Sequence, residues 1–82
     1  MKLFRRKKYS MTIVLSSKGE VRQIENIFFY TFKGAEKRMK AEVKNFISSG
    51  GNTFFVEKIE EPNWSYAKSL SGSIDIGITK ID

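Results

Sequence analysis

Residues 33–52 decide the fold, and they read KGAEKRMKAEVKNFISSGGN. Apolar residues recur at steps of three and four through this stretch, which is the period of an amphipathic α-helix. The residues of this apolar stripe are Phe32, Ala35, Met39, Val43, Phe46 and Ile47. Thr31 with Gly34 marks the helix entry, and Gly50-Gly51-Asn52 tolerates the left-handed backbone of a helix exit. We predict a helix over residues 33–49 that buries this stripe.

Two strands are predicted before the helix. Tyr9 to Ser16 alternates apolar and polar residues, and Ser17 to Glu20 supplies a turn that contains a glycine. Strand-like character resumes at Val21 and continues to Tyr30, but the alternation breaks near Glu25-Asn26. The pattern indicates a β-hairpin with a bulge or bend at that break.

The sequence after the helix predicts two further strands. The first runs from Thr53 to Ile59, with Phe54 and Val56 facing inward, and ends before Pro62, which cannot continue a strand ladder. Residues 64–72 are interpreted as a loop with two aromatics, and the last strand spans Ser73 to Ile81. The predicted fold is therefore a small α+β domain of order ββαββ. It has one four-stranded, mainly antiparallel sheet with a single helix packed on one face.

Length and composition favour one small domain without covalent reinforcement. The chain has 82 residues and no cysteine, so neither a disulfide nor a thiolate zinc site can stabilise it. The apolar run from Met11 to Leu15 is too short for a secretory signal or a membrane span. We expect a soluble, cytoplasmic protein without a transmembrane segment, composed of a flexible basic arm (residues 1–8) and one folded domain (residues 9–82). Met11 is an alternative start that would omit the arm.

The positive charge is concentrated in the arm. The net charge is +6, yet residues 1–10 hold five basic side chains and no acid, which leaves +1 for the remaining 72 residues. Within that body, residues 31–50 carry +3 and residues 51–82 carry −2. A polarised body of this kind weakens any argument for nucleic-acid binding that rests on the isoelectric point alone.

Two groups of basic residues are candidates for nucleic-acid contact. The arm contributes Lys2, Arg5, Arg6, Lys7 and Lys8, and the helix contributes the lysine ridge, which we define as Lys33, Lys37, Lys40 and Lys44. At 100° per residue the ridge lies on one side of the helix, away from the apolar stripe. The alternatives are a solubilising tail or a membrane-surface anchor for the arm, and a solvated face with a Glu36–Lys40 pair for the ridge.

Four aromatic residues are candidates for partner contact: Phe29, Phe55, Trp64 and Tyr66. The sequence holds more aromatic rings than one face of a small sheet needs, and exposed sheet aromatics can stack on unpaired bases or anchor a protein interface. Core packing on both sides of the strands, or within a homodimer, is the alternative for Phe29 and Phe55. For Trp64 and Tyr66 the alternative is a lid over one end of the core.

Catalysis finds little support. The chain has no histidine and no cysteine, and its acids show no motif spacing. The glycines do not form a phosphate-binding loop. We expect no enzymatic activity, no cofactor, no metal and no small-molecule substrate.

Residues 12–46, a hairpin that leads through Tyr30-Thr31-Phe32-Lys33 into a lysine-rich helix, faintly resemble the arm-binding domains of tyrosine recombinases. That resemblance implies a DNA-reading sheet of three strands, but only two strands are predicted before this helix, so no residue role is carried over. In size and style the chain also resembles small accessory proteins of phages and mobile elements.

Two functions follow as hypotheses. The first is a non-enzymatic accessory protein that contacts DNA or RNA through the arm, the lysine ridge and the sheet aromatics. The second is a protein-interaction module that inhibits or regulates a larger enzyme. A homodimer is compatible with either hypothesis.

Overall fold

A five-stranded antiparallel sheet carries one helix in the part of the chain that the computed structural model describes, residues 7–48 and 55–81. The strands are β1 (Tyr9–Ser17), β2 (Glu20–Phe29), β3 (Phe55–Glu61), β4 (Trp64–Ser69) and β5 (Ser73–Lys80), and the helix is α1 (Phe32–Ser48). Their order across the sheet is β2-β1-β5-β4-β3. The α+β class, the helix and the antiparallel sheet are confirmed. The prediction of four strands is wrong.

The additional strand is β4, which occupies the stretch interpreted as a loop. It pairs with both β3 and β5, and a two-residue turn at Pro62-Asn63 joins it to β3. Its buried residues are Ser65, Ala67 and Ser69, so the side that faces the helix is small rather than strongly apolar. Apolar alternation could not reveal such a strand. With β4 in place, Trp64 and Tyr66 belong to a strand and do not form a lid.

The core lies between α1 and one face of the sheet. Ala35, Met39 and Val43 of α1 are buried, as predicted, and Phe46 and Ile47 pack against the same core. The sheet contributes Met11, Ile13, Ala67, Ile74, Ile76 and Ile78. Among the described residues no buried side-chain nitrogen or oxygen lacks a hydrogen-bond partner.

Thr31 caps the start of α1. Its Oγ1 accepts a hydrogen bond from the Gly34 backbone N–H at 3.0 Å, which satisfies one of the unpaired amides of the first turn. A Cβ at Gly34 would lie 3.1 Å from that same oxygen, so the glycine leaves room for the cap. The predicted exit at Gly50-Gly51-Asn52 lies outside the described residues.

The β1–β2 hairpin turns through two residues with positive φ, Lys18 at 54° and Gly19 at 79°. This combination is typical of the type I′ turn that matches the twist of paired strands. The ladder shifts register between Leu15 and Ser16, which leaves Arg22 as the extra residue of a bulge. The bulge predicted near Glu25-Asn26 is wrong, because both residues pair regularly with β1.

The chain joins the sheet before Tyr9. The Lys8 N–H donates to the Phe29 carbonyl at 2.9 Å, and the Lys8 carbonyl accepts from the Ile81 N–H at 2.7 Å. Lys7 places its Nζ 5.5 Å from the centre of the Tyr30 ring, a cation–π distance. Within the described chain, no helix combines the length and apolar character that crossing a membrane requires.

Candidate functional site

The sheet face opposite α1, here called the open face, carries Trp64 and Tyr66. Strand alternation directs Ser65, Ala67 and Ser69 toward the helix and the two aromatics away from it. Ile59 lies opposite Tyr66 on β3, on the same face. We call Ile59, Trp64 and Tyr66 the aromatic patch.

Trp64 is held in place by a hydrogen bond and a ring contact. Its Nε1–H donates to Asp75 Oδ1 on β5 at 2.8 Å, and its ring centre lies 6.5 Å from that of Tyr66. Trp64 nevertheless remains accessible to a partner, because the residue is 38% exposed. A large, half-exposed ring that is already fixed loses little conformational entropy when a partner covers it.

The register places one row of side chains across the whole open face, running from one sheet edge to the other: Ile24, Val14, Asp75, Tyr66 and Ile59. Four of these five side chains are apolar or aromatic. The charged residues of the open face on β3, β4 and β5 are Glu57, Glu61, Asp75 and Lys68, three acids against one base. The row is therefore mostly apolar or aromatic with the Asp75 carboxylate at its middle, and the part of the open face formed by β3, β4 and β5 is acidic in balance.

The lysine ridge lies on α1, in the other layer of the molecule. All four lysines are exposed, and none forms a salt bridge with a described residue, whereas Arg38 pairs with Glu42 at 2.7 Å. The Glu36–Lys40 pair of the solvated-face alternative is not formed within 4.0 Å. Lys44 lies eleven positions after Lys33 on the helix, so the ridge is about 16 Å long.

The other candidate residues from the sequence that the structure describes belong neither to the aromatic patch nor to the lysine ridge. Phe29 lies on the helix side of β2, is half-buried and packs against the core. Its neighbour Phe28 points to the open face and is 46% exposed, although sequence reasoning did not select it. Lys7 and Lys8 are described and exposed. Lys2, Arg5, Arg6 and the Phe54 and Phe55 side chains lie outside the described structure, as does the Val56 side chain.

A recess of about 230 Å³ lies at one end of the open face, between the hairpin turn and the β4–β5 loop. The described residues that line it include Lys18, Lys68 and several serines, and none of them carries a carboxylate. Two of those serines hold the loop: Ser69 Oγ accepts from the Ser71 and Gly72 backbone N–H groups, each at 3.3 Å, and it shares a hydrogen bond of 3.2 Å with Ser71 Oγ. These hydroxyls thus have a structural role in the turn.

Comparison with protein-family models, with curated proteins and with solved structures gave no match to this chain.

Proposed function

We propose that this protein is a small protein-interaction module that binds its partner through the open face, with the aromatic patch as the centre of the interface. The observation that carries the proposal is the placement of Trp64, which is exposed on an inner strand yet fixed by Asp75 and Tyr66. Tryptophan and tyrosine are the residue types that most often dominate binding energy at protein interfaces.

The charges around the patch specify the chemistry of the partner. Glu57, Glu61 and Asp75 outnumber Lys68 on this side of the open face, so a complementary surface presents apolar groups flanked by lysine or arginine. The same acids repel phosphates. The lysine ridge lies in the opposite layer of the molecule, so a straight segment of nucleic acid on the open face does not also contact the ridge. Both points favour a protein partner for the aromatic patch.

The test compares affinity capture by three tagged forms in extracts of the source organism, with bound proteins quantified by mass spectrometry. We expect Trp64→Ala to lose at least one protein that the wild type retains, because truncating a fixed aromatic anchor costs about 2 kcal/mol or more, roughly 30-fold in affinity. Glu60→Ala, an exposed change on the helix side of β3, is the control and should retain that protein.

The binding partner then needs confirmation with purified components. Trp64→Phe keeps a ring but cannot donate to Asp75, so it should bind with intermediate affinity. Circular dichroism must show native folding in every variant. A set of captured proteins that is identical for the wild type and Trp64→Ala would contradict the proposal.

A second function, contact with nucleic acid, is favoured by the lysine ridge alone. Its four ammonium groups stand on one side of a rigid helix, and none is neutralised by a described carboxylate. Each phosphate that such groups neutralise makes log K fall with log salt by about 0.7 to 0.9. The ridge therefore predicts steeply salt-dependent binding that does not distinguish sequences.

Titration of a fluorescent single strand and a duplex at several salt concentrations tests this second function. Lys37→Ala with Lys40→Ala should lower the salt slope. Lys58→Ala with Lys80→Ala removes the same charge from exposed positions on β3 and β5 and should leave the slope nearly unchanged. Equal losses in the two double variants would show that net charge, and not the ridge, causes the binding.

A further inference from the structure

Strand β2 forms an edge of the sheet, since β1 is the only described strand that pairs with it. Beyond the bulge at Arg22, residues 23–29 pair with β1 in regular register. In an edge strand of this kind, backbone N–H and C=O groups point outward without a partner and can template pairing with another strand. The regular segment of β2 is therefore available for strand addition.

The opposite edge of the sheet differs in composition. β3 carries Glu57, Lys58, Glu60 and Glu61, and its ladder is interrupted between Phe55 and Glu57. Charges and bulges are the devices that keep an edge strand from pairing with other chains. Residues 23–29, QIENIFF, contain one charge and neither lysine nor proline. Residues 23–29 of β2 therefore lack the bulge and the dense charge that protect β3.

The outer surface of β2 also presents apolar side chains at a regular spacing. Ile24 is 66% exposed and Phe28 is 46% exposed, and both lie on the open face on either side of Asn26. Asn26 Oδ1 accepts hydrogen bonds from Ser10 Oγ at 3.0 Å and Thr12 Oγ1 at 3.2 Å, both on β1.

We propose that β2 pairs antiparallel with β2 of a second copy of this chain, with the two-fold axis at Asn26. Asn26 is the midpoint of residues 23–29, so this register uses the whole regular segment. It sets Ile24 of each copy opposite Phe28 of the other copy. These pairs cover the two most exposed apolar side chains of the segment.

Neighbouring registers are less favourable. An axis at Glu25 sets two carboxylates directly opposite each other, which destabilises a strand pair. An axis at Ile24 brings the bulged Arg22 into the ladder and leaves the C-terminal part of the segment unpaired. The register centred on Asn26 avoids both costs.

The assembled dimer has one sheet of ten strands with both helices on the same side, because the two-fold axis is perpendicular to the sheet. The open faces become continuous, and the two aromatic patches lie on the same surface. The dimer does not depend on the proposed partner, because it forms through β2, at the sheet edge far from the aromatic patch, and is tested by a different measurement.

Cysteine cross-linking tests the register, because the chain has no cysteine of its own. Directly opposite residues have Cα atoms about 4.5 to 5.5 Å apart, within disulfide range. Asn26→Cys should form a covalent dimer under mild oxidation. Ile24→Cys alone should not, since its two copies lie about 13 Å apart, whereas a mixture of Ile24→Cys and Phe28→Cys should cross-link.

Glu60→Cys, exposed on the opposite edge, is the control and should remain monomeric. The proposal is overturned if Asn26→Cys cross-links no better than this control, or if Ile24→Cys alone cross-links more efficiently than the mixture. Circular dichroism of the reduced variants verifies that each is folded.

Sedimentation equilibrium of the cysteine-free protein provides the second measurement. A seven-residue strand pair is a small interface, so we expect reversible association with a dissociation constant in the micromolar range or weaker. Ile24→Lys should abolish it, because lysine at this exposed position introduces the charge that protects other edges. The proposal requires a dissociation constant no weaker than the high micromolar range, so a wild-type protein that stays monomeric at high micromolar concentration would refute the dimer.

Discussion

Replacing Gly72 by alanine should destabilise the protein for a reason that does not involve backbone conformation. Gly72 has no positive φ, so an alanine meets no conformational penalty there. Its Cβ, however, would lie 2.5 Å from the Ser16 carbonyl oxygen, whereas ordinary contact begins at 3.4 Å. The two backbone segments must therefore separate by up to about 0.9 Å, the difference between those two distances.

The loop cannot move away freely, because Gly72 is tied to Ser69 at both backbone atoms. The Ser69 N–H donates to the Gly72 carbonyl at 2.8 Å, and the Gly72 N–H donates to Ser69 Oγ at 3.3 Å. Overpacking of this kind costs about 1 to 3 kcal/mol. For a domain of this size each kcal/mol lowers Tm by about 4 to 8 °C.

Gly77→Ala is the matched control, because a Cβ at Gly77 would have nothing within 4 Å. Alanine there should be neutral or stabilise the fold by up to about 1 kcal/mol, since glycine loses more conformational entropy on folding. Urea unfolding followed by Trp64 fluorescence measures both variants. If Gly72→Ala is as stable as Gly77→Ala, the close approach of the loop to β1 does not exist in solution.

Three further changes have defined outcomes. Lys18→Asn should raise the free energy of unfolding, measured in urea, by a few tenths of a kcal/mol, because asparagine tolerates the positive φ at this turn position better than lysine. Val43→Asp should leave the chain unfolded by circular dichroism, since an unpaired buried carboxylate costs several kcal/mol out of a total near 5 to 10. Deletion of residues 1–6 should leave Tm almost unchanged, as the flexible arm predicted from the sequence implies. Deletion of residues 1–10 should lower it, because it removes the strand pairing of Tyr9 and its edge-to-face contact with Phe32 at 5.8 Å; equal melting temperatures for the two deletions would contradict this.

The helix and the first hairpin could be predicted because their patterns are local. Met39 and Val43 are buried where the 3.6-residue period places them, and Met11 and Ile13 are buried where alternation places them. The bulge could not be placed from sequence, since a register shift depends on how the turn at Lys18 and Gly19 joins the two strands.

Trp64 and Tyr66 could be selected from the sequence as candidates, but Ile59 was not selected and the direction of the two rings could not be predicted, for a reason that lies in β4. Its residues, WSYAKS, alternate large with small, and the small ones face the helix. The rule that the larger apolar residues of a strand point inward therefore assigns the wrong side here. The serine and alanine side chains on the helix side of β4 are buried. Trp64 and Tyr66 are then not surplus core residues. Both rings lie on the open face, which does not contribute to the core, and Trp64 is fixed there by Asp75. Packing of the core therefore does not account for the size of these two side chains.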